Sequence, residues 1–177
     1  MIKTFLVAGW MVAAAAGADW SAPAEVRHDD RRCVTYRARA AAGYLTVEAV
    51  HDEGWHTYAL DNRVRALEKL AGRQSTGIDR PTELRVTGLE LDGPWRQTAP
   101  KDVSNPELLL FTWVFSGRAV FIAKLKGPVA EPVNIAIRGQ ACTESTCKEI
   151  NVALAVPAPR TESGGPPADW SGLVPVR

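Results

Sequence analysis

Two of the three cysteines, Cys142 and Cys147, stand close together in QACTESTCKEI, separated by Thr143, Glu144, Ser145 and Thr146. Thiols at this spacing can form a structural disulfide, hold a soft metal ion or exchange electrons with another thiol. The flanking stretches 133–142 (VNIAIRGQAC) and 147–157 (CKEINVALAVP) read as antiparallel strands, with TEST as a hairpin loop. The two cysteines then face each other across the first rung. Directly opposed residues there have Cα atoms about 4.5–5.5 Å apart, within reach of a disulfide. Closing so short a loop contributes only about 2 kcal/mol in the chain-entropy view. A bridge at a loop tip is open to a second protein's thiol, which suits exchange better than scaffolding. Lys148 favours a thiolate, whereas Glu144 and Glu149 oppose it. Reactivity is therefore expected to come from a partner's thiolate attacking the bridge through a mixed disulfide.

The elements around the pair must hold it in a compartment where a disulfide persists. The chain opens MIKTFLVAGWMVAAAAGADW, with a basic Lys3, an apolar run over 5–16 and small residues at 16 and 18. This pattern reads as a signal peptide over 1–18, cut after Ala18. No later run reaches the ~20 apolar residues of a membrane helix. The expectation is an exported, periplasmic chain with no membrane insertion after cleavage, in which a disulfide can persist. A formal net charge of +1 for all 177 residues argues against nucleic acid as the partner.

The apolar pattern downstream is mostly strand-like. Residues 33–40 and 44–51 flank an AAG turn as a hairpin, and 55–60, 82–91 and two strands within 108–127, joined at Ser116-Gly117, follow. Residues 63–74 could form one or two helical turns through Leu67 and Leu70. Turn signals recur about every ten residues, which favours an all-β antiparallel sandwich over 19–157. Residues 158–177, rich in Pro, Gly and Ser, read as a mobile tail. Within it, ADWSGLVPVR (168–177) matches ADWSAPAEVR (18–27) at six of ten positions. That match is either coincidence or a sign that both segments dock on one sheet edge or groove.

Several segments together resemble a known family. QACTESTC before a last strand is similar to the cysteine motif of the amino-terminal periplasmic domain of the thiol–disulfide reductase DsbD. GWHTYAL (54–60) resembles that family's Gly-Trp-His-x-Tyr strand. The stretches 78–101 and 108–125 resemble its Pro-Thr strand with the following loop, and its cap-loop region. The resemblance covers about 26–157. It implies an immunoglobulin-like fold whose redox pair is Cys142 and Cys147, with Cys147 forming the mixed disulfide with the donor. It also implies that Tyr58 neighbours the pair and that Leu108, Leu109, Leu110 and Phe111 form a shielding cap. The implied partners are a thioredoxin-like electron donor and oxidised periplasmic thiol proteins. Two departures stand out: Lys148-Glu149 replaces the prolines that follow the second cysteine in many relatives, and LLLF replaces an aromatic-Gly cap. The family's larger members also continue into membrane and thioredoxin domains that are lacking here, so electrons are expected from a separate protein.

Other readings of the same residues stand beside this one. The pair could be a staple in a non-catalytic immunoglobulin-like binding module, an accessory to copper tolerance or cytochrome assembly. Its thiolates with His51 or His56 could take Cu(I) or Zn(II), although ordinary strand residues are the preferred reading of both histidines and no metal or other cofactor is expected. Cys33 reads as a buried core thiol, the alternative being a third redox partner or an intermolecular link. Trp55, Trp95 and Trp113 read as core or loop anchors. LLLFTWVF reads as a buried strand or, if exposed, as a docking surface.

Overall fold

The computed structural model describes residues 20–71, 73, 76, 80–127, 129, 133–158 and 168–177. The expected signal peptide lies outside the described residues. The elements run β1 (Ala24–His28), β2 (Arg31–Ala41), β3 (Tyr44–His51), β4 (His56–Tyr58), α1 (Asn62–Lys69), β5 (Glu83–Thr87), β6 (Arg96–Thr98) and β7 (Lys101–Asp102). They continue with β8 (Trp113–Phe115), β9 (Arg118–Lys124), β10 (Val133–Cys142), β11 (Cys147–Val156) and β12 (Leu173–Pro175).

Two antiparallel sheets result. The first has the order β1-β2-β3-β9-β6-β12. The second has the order β11-β10-β4-β8-β7, with β5 also paired to β10. Inward residues of both sheets, among them Tyr36, Leu45, Val47, Phe115, Phe121, Ile135, Ile137 and Leu154, form one core. The architecture is thus the expected all-β antiparallel sandwich.

Local chemistry explains the joints. Ala42 and Gly43 both take positive φ, 54° and 78°, and close the β2–β3 hairpin with the backbone twist that two-residue loops require. Val133, Ile135, Ile137 and Ala141 are buried while Asn134 and Arg138 are exposed, so β10 keeps a period of two. Its edge away from β11 is shared. β5 pairs with Asn134–Arg138 and β4 with Ala141 and Cys142. Gly139 sits where one partner gives way to the other, at φ 145°, and a Cβ there would meet the Pro81 carbonyl oxygen at 3.1 Å.

The structure departs from the sequence reading in several places, and β6 is one, since its residues fall in the stretch read as a loop. β1 was not anticipated, because its residues are largely polar and only Val26 is buried. The helix turns Asn62, Ala66 and Leu70 inward, whereas Leu67, one of the two leucines the helical reading ran through, is 37% exposed. Of the stretch 108–115 only Trp113–Phe115 is a buried strand. Pro106–Leu108 instead form a 3-10 turn capped by the Asn105 side chain, and Leu109 follows in the left-handed region. Finally, the end of the stretch expected to be a mobile tail carries regular structure. Residues 168–177 form a 3-10 turn and β12, which pairs with β6 through Leu173↔Thr98, Val174↔Gln97 and Pro175↔Arg96.

Candidate disulfide site

β10 and β11 pair over ten consecutive rungs, from Val133↔Val156 to Cys142↔Cys147. Beyond the last rung, the Thr143 N–H donates to the Thr146 carbonyl at 2.8 Å, so the loop tip is reduced to Glu144 and Ser145. The Thr143 hydroxyl accepts from the Ser145 and Thr146 amides at 3.3 and 3.2 Å, a local side-chain turn of the kind Thr favours. A hydrogen-bonded pair at 143/146 makes 142/147 the closer, non-hydrogen-bonded kind. The Cα atoms of Cys142 and Cys147 are 4.0 Å apart and their sulfurs are bonded.

The two cysteines differ in exposure. Cys142 is 1% exposed, whereas Cys147 is open to solvent. Alternation along β10 sends Cys142 to the outer face of its sheet, away from Ala141 and the core. There it is flanked on one side by Cys147 and on the other by β4, where His56 lies directly opposite it. His56 and Tyr58 share that outer face, with ring centroids 5.5 Å apart in an edge-to-face arrangement.

Below this face, Thr57 points inward and is fully buried. Its hydroxyl donates to Nε2 of His51 on β3 at 2.8 Å, while Nδ1 of His51 donates to the Gly117 carbonyl at 2.8 Å. A carbonyl can only accept, so Nδ1 carries the proton. This bond ties β4 to the opposite sheet and holds the strand beside Cys142. Burial pushes the His51 pKa below its ordinary value. Cys33, on β2, is fully buried in the core, and burial pushes its thiol up.

The residues expected around the pair lie on β4 and on a neighbouring hairpin of the same sheet. Tyr58 lies on the strand that abuts β10. Leu108–Phe111 lie on the hairpin between β7 and β8, two strands away from β10 in sheet order. Leu108 is 64% and Leu109 44% exposed, while Leu110 and Phe111 are half-buried, and Phe111 packs on the core. The Thr76 hydroxyl and amide bond the carbonyls of Leu108 and Leu109. Around the hairpin tip, Arg80 pairs with Glu149 at 3.2 Å, and its amide donates to the Gln140 side chain. Both ends of that ion pair are exposed, so it contributes little. Among the described residues, no group of three or more His, Cys, Asp or Glu side chains is placed to hold a metal ion.

Fold and site together define an antiparallel β-sandwich with a half-exposed disulfide at a hairpin tip. The chain is similar in structure to amino-terminal domains of DsbD and ScsB. For the reduced DsbD N-terminal domain of Neisseria meningitidis, identity is 13% and the TM-score 0.49, covering 70% of this chain and 84% of that one. For the N-terminal periplasmic domain of ScsB from Proteus mirabilis, identity is 16% and the TM-score 0.49, covering 85% of this chain and 56% of that one. The DsbD N-terminal domain in its complex with the PilB N-terminal domain, also from N. meningitidis, gives 12% and 0.48, covering 69% and 80%. No protein-family model and no curated protein sequence matches the chain. Among the described residues, no helix is long and apolar enough to cross a membrane.

Proposed function

We propose that this chain is a periplasmic thiol–disulfide exchange module. The Cys142–Cys147 pair passes two electrons from a thioredoxin-like donor to oxidised thiol proteins. The observation that carries the reading is the exposure difference across the bond: Cys147 is open and Cys142 is 1% exposed. A donor thiolate attacks Sγ of Cys147, the Cys142–Cys147 bond breaks, and Cys142 leaves as thiolate and takes up a proton. The donor's second thiol then loses its proton and attacks the mixed disulfide. The donor departs oxidised, and Cys147 is left reduced. In the second half-cycle Cys147 attacks the acceptor's disulfide, and Cys142 attacks Cys147 to re-form the bridge and release the acceptor as a dithiol.

The ten-rung ladder supports the same reading, because it fixes the hairpin without the bond. Tyr58 is the expected shielding residue whose strand adjoins the pair. Leu108, Leu109, Leu110 and Phe111 remain the proposed cap, and the exposed Leu108 and Leu109 also offer a contact for the partner.

The test is the reduction potential of the pair, measured in glutathione buffers with Cys33→Ala as background. A value between about −270 and −120 mV, the range of known exchange proteins, supports a working switch. A value below about −300 mV marks a structural bridge and overturns the proposal.

A further inference from the structure

His51 on β3 and His56 on β4 are in opposite conditions. His51 spends both ring nitrogens on Gly117 and Thr57. His56 is half-buried against Tyr58, and among the described residues its ring nitrogens have no hydrogen-bond partner. The register sets His56 directly across from Cys142 on the outer face of the sheet. Side chains so opposed have Cβ atoms about 4.5–5.5 Å apart, so their tips can meet.

We propose that His56 is the proton carrier for Cys142 in the exchange cycle. This rests on the exchange reading above and adds a residue to it. Cys142 must lose a proton before it can attack the mixed disulfide on Cys147, and at 1% exposure it has almost no water to give it to. His56 takes that proton as the Cys142 sulfur attacks Sγ of Cys147. The Cys142–Cys147 bond forms, the bond from Cys147 to the partner breaks, and the partner leaves as thiolate. When a donor attacks Cys147 in the opposite half-cycle, the imidazolium returns the proton to the leaving Cys142 thiolate. Atoms and charge balance in both directions, and no further reagent is needed. Burial holds the His56 pKa below its ordinary value, so the ring is neutral and ready to accept near pH 7. The titratable groups placed around it are Tyr58 on β4, which packs on the ring, His51 from β3, whose pKa it lowers, and Cys142 opposite it on β10.

The test uses the reduced chain with Cys33→Ala as background and glutathione disulfide as the probe. Acid-quenched mass spectrometry follows formation of the Cys147–glutathione adduct and its resolution by Cys142. His56→Gln and His56→Phe are compared at matched folded fractions. The expected result is adduct formation within about twofold of the parent, with resolution slowed at least about tenfold near pH 7. The adduct accumulates, and the histidine limb of the resolution pH profile disappears. Resolution at the parent rate with an unchanged pH profile in His56→Gln would overturn the role of His56. A parent chain that forms no adduct overturns the exchange reading itself, and the role of His56 with it.

Discussion

Cys142 and Cys147 share one bond but not one environment, and their reactions are expected to differ accordingly. Once reduced, Cys147 presents an exposed thiol while Cys142 stays beneath its neighbours. Iodoacetamide is expected to modify Cys147 at least about tenfold faster than Cys142, read by peptide mass spectrometry. Cys33 should react only after unfolding, because it is fully buried and its thiol pKa is raised. Equal modification of all three thiols in the folded chain would contradict this. His51 gives a second residue-level prediction. Its folded pKa is depressed below the ordinary 6.5, so the unfolded chain binds the proton more readily. Stability is therefore full above about pH 6.5 and falls as pH drops from there toward the folded pKa, with a slope of at most about 1.4 kcal/mol per pH unit from this residue. Urea unfolding between pH 7.5 and 5 should show the fall, and His51→Gln should flatten it. The cysteine spacing and the buried Cys33 were legible in the sequence. The readiness of His56 was not, because it depends on which strand comes to lie across from it, a partner far away along the chain.

The hairpin is held by more than its bridge, so opening the bond is expected to leave the fold in place. Ten rungs and inward side chains at Ile135, Ile137, Ile150 and Leu154 register β10 on β11. Replacing both Cys142 and Cys147 with Ala should cost no more than about 2 kcal/mol and keep the far-ultraviolet dichroism. A larger loss would make the bond a staple. Gly139→Ala should cost about 1–3 kcal/mol, since the backbone conformation there excludes L side chains and the new methyl meets the Pro81 backbone. Strands this regular were readable as alternation in the sequence, as was the β2–β3 hairpin. The inward face of α1 was not: Leu67 and Leu70 looked alike, yet the buried residues are Asn62, Ala66 and Leu70 while Leu67 is exposed. The 108–112 stretch was misread for a related reason. Its apolar run looks like a buried strand, but the Asn105 cap and the left-handed Leu109 turn the chain outward. If Leu108 and Leu109 contact a donor, Leu108→Asp with Leu109→Asp should slow reduction by a thioredoxin-like donor several-fold. Reduction by dithiothreitol should speed up if the two leucines also cap the sulfurs, and stay unchanged if they serve as contact alone.

Across the whole molecule, the residues that follow the two ADWS matches form the two edge strands of one sheet. Trp20 lies over Arg37 and Arg39, with 4.4 and 4.7 Å from guanidinium to ring centroid, and leads into edge strand β1. Trp170 packs against Tyr44 at 4.9 Å and Arg96 at 5.2 Å, and leads into edge strand β12. Neither edge strand was readable in advance, because the first is polar and the second is hidden in Pro/Gly-rich composition. What secures β12 is tertiary. Leu173 packs with Val120 and Ile122, and its carbonyl accepts from Arg96 at 2.5 Å. The Val176 amide bonds the Trp95 carbonyl, and the Arg177 amide bonds Asp61. Asp61 is 1% exposed. Burial would raise its pKa, but hydrogen bonds from Arg65, Gln97 and Arg177 hold it below the usual carboxylate range. Leu173→Asp would place a carboxylate among Val120 and Ile122, so the strand is expected to leave at a cost of about 1–3 kcal/mol. Hydrogen exchange of the amides at 96–98 should then accelerate, while those of β10 and β11 keep their protection. Because the disulfide sits in the other sheet, reduction of Cys142–Cys147 should keep its rate within about twofold. Persistent protection at 96–98 would mean that β12 does not guard this edge, whereas a changed rate at the sulfurs would mean that the two sheets are coupled through the core.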